Sequence, residues 1–225
     1  MQGRVYSAAT SYLPHFMQAR TREPASPEAP LGRQALKAKR TREGLINATI
    51  ALIQEGGFSA ASSSRIAQRA GMTWGAAQHH FGSKEDILEA ILALSYERFI
   101  ETMAAPQLRR GSLDERVGAF VEQMWMHYQS ELFQVALEIL LATREDSDHA
   151  ERAWEVRQGR QHLKVVREIF HDVRLSDARI QEALTFTHCC LTGLSVEGLF
   201  EAKVKHLGNH LERVKRALLG MLAES

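Results

Sequence analysis

The sequence predicts an all-α protein of about nine helices: a small three-helix N-terminal unit followed by a larger helical bundle. Three observations carry that expectation. From Leu36 onward apolar residues recur at intervals of three and four, which places them on one face of a helix. No run of alternating β-branched residues is long enough for a strand. Capping residues and glycines then cut the chain into segments of helical length.

Residues 1–32 hold four of the five prolines and little apolar periodicity, so they read as a flexible tail. A first helix at about 37–56 carries Leu45, Ala48, Thr49, Leu52 and Ile53 at helical spacing, and Gly56-Gly57 stops it. Ser62 caps the second helix, Gly71 ends it after Ala70, and Thr73 caps the third. Ser83 opens a longer helix whose apolar face is Ile87, Leu88, Ile91, Leu92 and Phe99, with Glu85 and Asp86 at the positive end of its dipole. Ser112 and Glu115 form a capping box ahead of Val117, Phe120, Val121, Met124, Trp125 and Tyr128. Helices follow at about 131–143 and 147–172. Ser176 caps another that runs to about 202, and the last carries Leu207, Leu211, Val214, Leu218 and Leu222. The expected division is a tail at 1–32, one domain at 33–82 and a second at 83–225.

With 225 residues, 44% hydrophobic and 24% charged, the chain can bury a substantial core. No apolar run approaches the roughly 18–20 residues of a membrane helix, and no signal-like stretch follows MQGRVYSAAT. Cys189 and Cys190 are adjacent and cannot build a disulfide framework. These features point to a cytoplasmic protein without a membrane partner. Its net charge of +1 hides an asymmetry. Residues 33–84 hold eight basic and two acidic residues, net +6, whereas 85–225 hold 17 basic and 23 acidic, net −6. A basic block before an acidic remainder suggests one polyanion-binding part and another that avoids polyanions.

Residues 62–81, SSSRIAQRAGMTWGAAQHHF, contain the parts of a helix-turn-helix in order. Ile66 and Ala67 face inward, Ala70 permits close approach, Gly71 tolerates the turn and Met72 plugs the core. Ala77 and Phe81 anchor the second helix from below. Its outward face is then Trp74, Gly75, Ala76, Gln78 and His79, with His80 near its end. Gln can pair with adenine, Ala can touch a thymine methyl, and His can meet a base edge or phosphate. With Arg42, Ser62, Thr73 and Lys84, these residues make a candidate surface for double-stranded DNA. The N–H groups at the Ser83 helix start are further phosphate donors.

The stretch from Arg40 to Leu92 resembles the DNA-binding domain of the TetR family of regulators. The shared pattern is a first helix closed by GGF, then IAQRAG, a short helix ending in HHF, and GSKEDIL. The resemblance places the recognition helix at 74–80 and implies phosphate contacts from Lys84 and the helix that follows. It also implies a homodimer on a palindromic operator, an effector-binding and dimerisation domain in the all-helical remainder, and a repressor released by a small molecule of unknown identity. Three positions depart from the family pattern: Gln78 stands where tyrosine is common, Trp74 where a polar residue is common, and Ser63 where an aliphatic one is usual. A regulator controlled by a protein partner, or by no effector, is the alternative; an enzyme on this fold is the weakest one.

Inward aromatic and sulfur side chains supply candidates for an effector pocket: Phe120, Met124, Trp125, Tyr128, Phe133, Trp154, Phe170, Phe186 and His188. At helical spacing the same residues also suit an ordinary core. Leu191, Leu194, Ser195 and Gly198, with Leu211, Val214 and Leu218 of the last helix, are the candidate dimer interface. The histidines and cysteines lack the spacing of a metal site, and no phosphate-binding loop or nucleophile motif is present. No metal, cofactor or catalytic residue is therefore expected.

Overall fold

The computed structural model describes residues 32–144, 152–200 and 203–223, and every regular element among them is helical. The expected tail lies outside the described residues except for Gly32. The helices are α1 (Arg33–Gly56), α2 (Ser63–Arg69), α3 (Trp74–Phe81), α4 (Lys84–Met103), α5 (Leu113–Tyr128), α6 (Glu131–Thr143), α7 (Arg152–Ile169), α8 (Asp177–Phe200) and α9 (Leu207–Ala223). Short 3₁₀ turns at Phe58–Ala60 and Pro106–Arg109 were not anticipated from the pattern.

The starts follow the local chemistry. Ser62 accepts the Arg65 N–H at 3.4 Å and Thr73 accepts the Ala76 N–H at 3.3 Å, each satisfying a donor that the first helical turn leaves open. Ser112 and Glu115 form the complete reciprocal capping box. Ser83 and Asp86 make a similar exchange at α4, with Asp86 accepting the Ser83 N–H and Ser83 Oγ accepting the Asp86 N–H.

Two compact units result, and they do not divide at residue 82. One contains α1–α3, α4 as far as Tyr96, and α6; the other contains the end of α4, α5, α7 from Glu155, α8 and α9. The first unit has a continuous apolar core in which Val135, Ala136 and Ile139 of α6 lie with Leu45, Leu52, Ile53, Ile66, Ala77, Phe81, Ile87, Leu88 and Ile91. Periodicity marks α6 as amphipathic but does not say which surface its apolar face meets. With α2 and α3 only seven and eight residues long, the unit has little surface of its own to enclose this core, and α6 supplies further cover.

Glu138 of α6 also accepts the backbone N–H of Phe58. Gly57, just before it, has φ 75° and ψ 176°, a conformation open essentially only to glycine. A Cβ there would lie 3.1 Å from the Glu138 carboxylate. In the second unit, α5 packs on α8 and α9. Phe120 and Phe170 meet edge to face with centroids 5.4 Å apart, both wholly buried. The buried Arg116 guanidinium pairs with Asp172 and donates to the Gly111 carbonyl at 3.1 Å. No described helix is long and apolar enough to cross a membrane.

Two glycine substitutions should therefore separate conformation from propensity. Gly57→Ala is expected to destabilise by about 1–3 kcal/mol through its backbone conformation. Gly118→Ala, inside α5 with open space at the Cβ position, should stabilise by about 0.5–1 kcal/mol. Urea denaturation of the two variants checks both signs.

Candidate functional site

The exposed face of α3 is built from below. Ala77 is fully buried and Phe81 nearly so, while Gly75, Ala76, Gln78 and His79 are exposed and His80 is half-buried. The turn preceding α3 is closed by the Met72 N–H, which donates to the Ala67 carbonyl at 3.0 Å, and by Gly71 at φ 72°. Such a helix presents side chains of one face to solvent while its other face fixes its position.

Arg42 of α1 holds the far end. Its guanidinium lies 3.8 Å from the Phe81 ring centroid and donates to the His80 carbonyl. A cation at this end meets the negative pole of the α3 dipole. Arg42 thus acts within the fold on α3, a role that its basic character alone did not disclose. Trp74 also differs from the expected outward orientation: it is half-buried and packs on the core of the unit. Its large indole gains more from apolar contact than from standing in water. Gln78 donates to the Gly82 carbonyl at 3.4 Å, and Ser62 and Thr73 cap their helices.

Lys84 is half-buried, with its ammonium 4.3 Å from the Phe58 ring centroid. Burial draws its pKa below the ordinary lysine value. The Ser83 N–H, expected as a phosphate donor, is taken by Asp86 at 2.8 Å. Arg69 is similarly engaged, paired with Glu55 through both guanidinium nitrogens.

Residues 45–91 match the family model described as bacterial regulatory proteins, tetR family. The chain carries a TetR-family DNA-binding domain. Over 86 residues it is 36% identical to the HTH-type transcriptional regulator BetI 2 of Chromohalobacter salexigens, a match spanning 36% of this chain and only 40% of that regulator. It is 24% identical over 195 residues to the HTH-type transcriptional regulator CymR of Pseudomonas putida, covering 85% of this chain and 93% of CymR. The fatty acid degradation regulator FadR from Bacillus halodurans shares the fold, with a TM-score of 0.62 at 16% identity, covering 87% of this chain and 97% of FadR.

In the second unit the expected pocket residues separate. Tyr128 hydrogen-bonds His188 Nδ1, and their ring centroids are 5.7 Å apart. Phe120 and Phe170 are ordinary core, as are the buried Met124 and Trp125. Phe186 is exposed, Phe133 belongs to α6 in the other unit, and the Trp154 side chain lies outside the described residues. His127, which sequence reasoning did not single out, has its ring 6.0 Å from that of Tyr128. Phe99 lies 5.1 Å from the His127 ring and 5.0 Å from the His162 ring, edge-on to the latter. A signal existed for His162: it falls in register with Val165, Val166 and Ile169, the buried positions of α7.

The candidate interface residues divide as well. Leu191, Ser195, Val214 and Leu218 are buried within the single chain. Ser195 does not line an outer surface; its hydroxyl donates to the Tyr128 carbonyl at 3.0 Å, satisfying an acceptor at the end of α5. Leu194 and Leu211 are half-buried and Gly198 is exposed. Among the described residues no group of three or more histidine, cysteine or acidic side chains is placed to hold a metal ion.

Burial pushes His127 and His162 down to about 4, and His188 adds to the effect on His162. An unfolded histidine titrates near 6.5. Between these values the unfolded chain binds protons that the folded chain does not, so stability falls as pH drops through this window and is restored above it. The melting temperature should decline from pH 7 to pH 5, and His162→Phe should make that decline shallower. Calorimetry across the pH range checks this.

Proposed function

We propose that this protein is a homodimeric repressor that binds a palindromic operator and is released by a small molecule. The exposed α3 face of Gly75, Ala76, Gln78 and His79, fixed by Phe81 and Arg42 at its far end, carries the DNA reading. Short side chains at 75 and 76 let the helix backbone come near the groove floor, and Gln78 and His79 then reach base edges. Lys84 adds a phosphate contact beside them.

The dimer reading rests on α8 and α9. Phe186, Leu199 and Phe200 of α8 are exposed, as is Gly193, where an added Cβ would meet nothing within 4 Å. Together with Leu194, Leu211 and Gly198, they offer an apolar surface with room for close helix approach. Pairing two copies by a two-fold axis presents α3 twice in opposite orientation, which is what a palindromic operator requires. The effector would act by favouring a conformation in which the two α3 helices no longer match successive grooves.

Gel-shift titration against fragments of the gene's own upstream region tests the DNA reading. Saturable, sequence-selective and salt-sensitive binding is the expected result; its absence with and without candidate effectors would end the proposal. Lys84→Ala should weaken binding across related sequences and reduce the salt slope by about one. Gln78→Ala should alter base preference instead. Independently, Leu194→Arg should shift the protein from dimer to monomer in analytical ultracentrifugation while leaving its helical circular dichroism intact.

A further inference from the structure

Two contacts run in series from α6 to the start of α4, both within the first unit. The Glu138 carboxylate of α6 accepts the backbone N–H of Phe58. The Phe58 ring in turn lies 4.3 Å, measured at its centroid, from the Lys84 ammonium. All three residues are half-buried, so each is held on one side by the protein. Gly57 makes the first contact possible, because a Cβ there would stand 3.1 Å from the same carboxylate.

We infer, resting on the reading of Lys84 as a phosphate contact given above, that Glu138 is a positioning residue for DNA binding. By holding Phe58 at the turn between α1 and α2, it sets where the Lys84 ammonium stands. An unrestrained lysine spreads over many rotamers, and ordering it on a phosphate costs side-chain entropy. A ring face attracts the ammonium and narrows that spread before DNA arrives. The ring does this only if its own place is fixed. Phe58 opens a 3₁₀ turn of three residues, whose first N–H has no partner inside the turn. The amides of Gly57 and Ala60 bond locally, to the Ile53 and Gly57 carbonyls, whereas that of Phe58 reaches across to α6. A residue outside the 45–91 stretch that carries the family pattern thereby acts on DNA affinity.

The sign of the effect separates this role from ordinary electrostatics. Glu138 is an acid in the unit that carries the basic block, and removing a negative charge there strengthens attraction for a polyanion. A positioning role predicts the reverse. Glu138→Ala weakens binding, because the carboxylate acts on Lys84 through Phe58 and not on DNA. Glu138→Gln retains a carbonyl oxygen that accepts the Phe58 N–H, so it restores what alanine loses.

Fluorescence anisotropy of the full chain on a mixed-sequence duplex, across a salt series, tests the role, since a phosphate contact does not depend on base sequence. Glu138→Ala and Phe58→Leu should each weaken binding about three- to tenfold at low salt and lower the salt slope toward that of Lys84→Ala. Glu138→Gln should recover both the affinity and the slope. In a Lys84→Ala background the loss from Glu138→Ala should shrink below about twofold, because the side chain it places is gone. A folding defect alone lowers the active fraction, counted by stoichiometric titration, and leaves the salt slope where it was. Phe58→Leu supplies the same comparison if Glu138→Ala does not fold. Unchanged or tighter binding by Glu138→Ala, an unchanged salt slope, or failure of Glu138→Gln to recover the loss would each overturn the inference. Two outcomes keep it apart from the reading it rests on. Full binding by Lys84→Ala rejects the phosphate contact and the inference together. A loss in Lys84→Ala to which that of Glu138→Ala simply adds rejects the inference alone.

Discussion

The apolar face of α6 closes the core of the DNA-binding unit, and the other features of that unit depend on the closure. Val135, Ala136 and Ile139 lie against a set of side chains drawn from α1, α2, α3 and α4. Without them part of the apolar surface of those helices would face water. The same helix supplies Glu138, whose carboxylate fixes the Phe58 N–H at the turn between α1 and α2. That turn in turn places the Phe58 ring beneath the Lys84 ammonium. Hydrophobic closure, backbone placement and the position of the Lys84 ammonium are thus carried by neighbouring residues.

The upper surface of the unit reflects a division of labour along α3. Ala77 and Phe81 face down, and Arg42 closes the carboxyl end by combining a ring contact with a hydrogen bond to His80. The exposed side chains between them carry little of the packing. Their identities are therefore free to serve base contacts without costing the fold much stability. Trp74 marks the limit of that freedom, because its indole is drawn back onto the core.

Polarity inside the second unit is handled in two ways. Arg116 and Ser195 are buried with partners: a carboxylate and a carbonyl for the first, and the last carbonyl of α5 for the second. The histidines near Phe99 are buried among rings, and desolvation keeps them uncharged. The first arrangement stabilises the bundle at any pH at which the ions persist; the second makes its stability sensitive to mild acid.

Local chemistry by itself determined the helices and their ends. Ser62, Thr73, Ser83 and the Ser112–Glu115 box cap where they stand in the chain, because a cap needs only residues within one turn of it. The inward residues of the helix-turn-helix were equally legible, since Ile66, Ala67, Ala77 and Phe81 repeat with the helical period. Partnership across the chain was not. Periodicity states that a face is apolar, but only the tertiary structure decided that α6 covers the DNA-binding core, that Ser195 turns inward, that Arg42 serves α3, and that His162 meets Phe99. Those contacts link residues tens of positions apart, and no local pattern encodes which buried surface meets which.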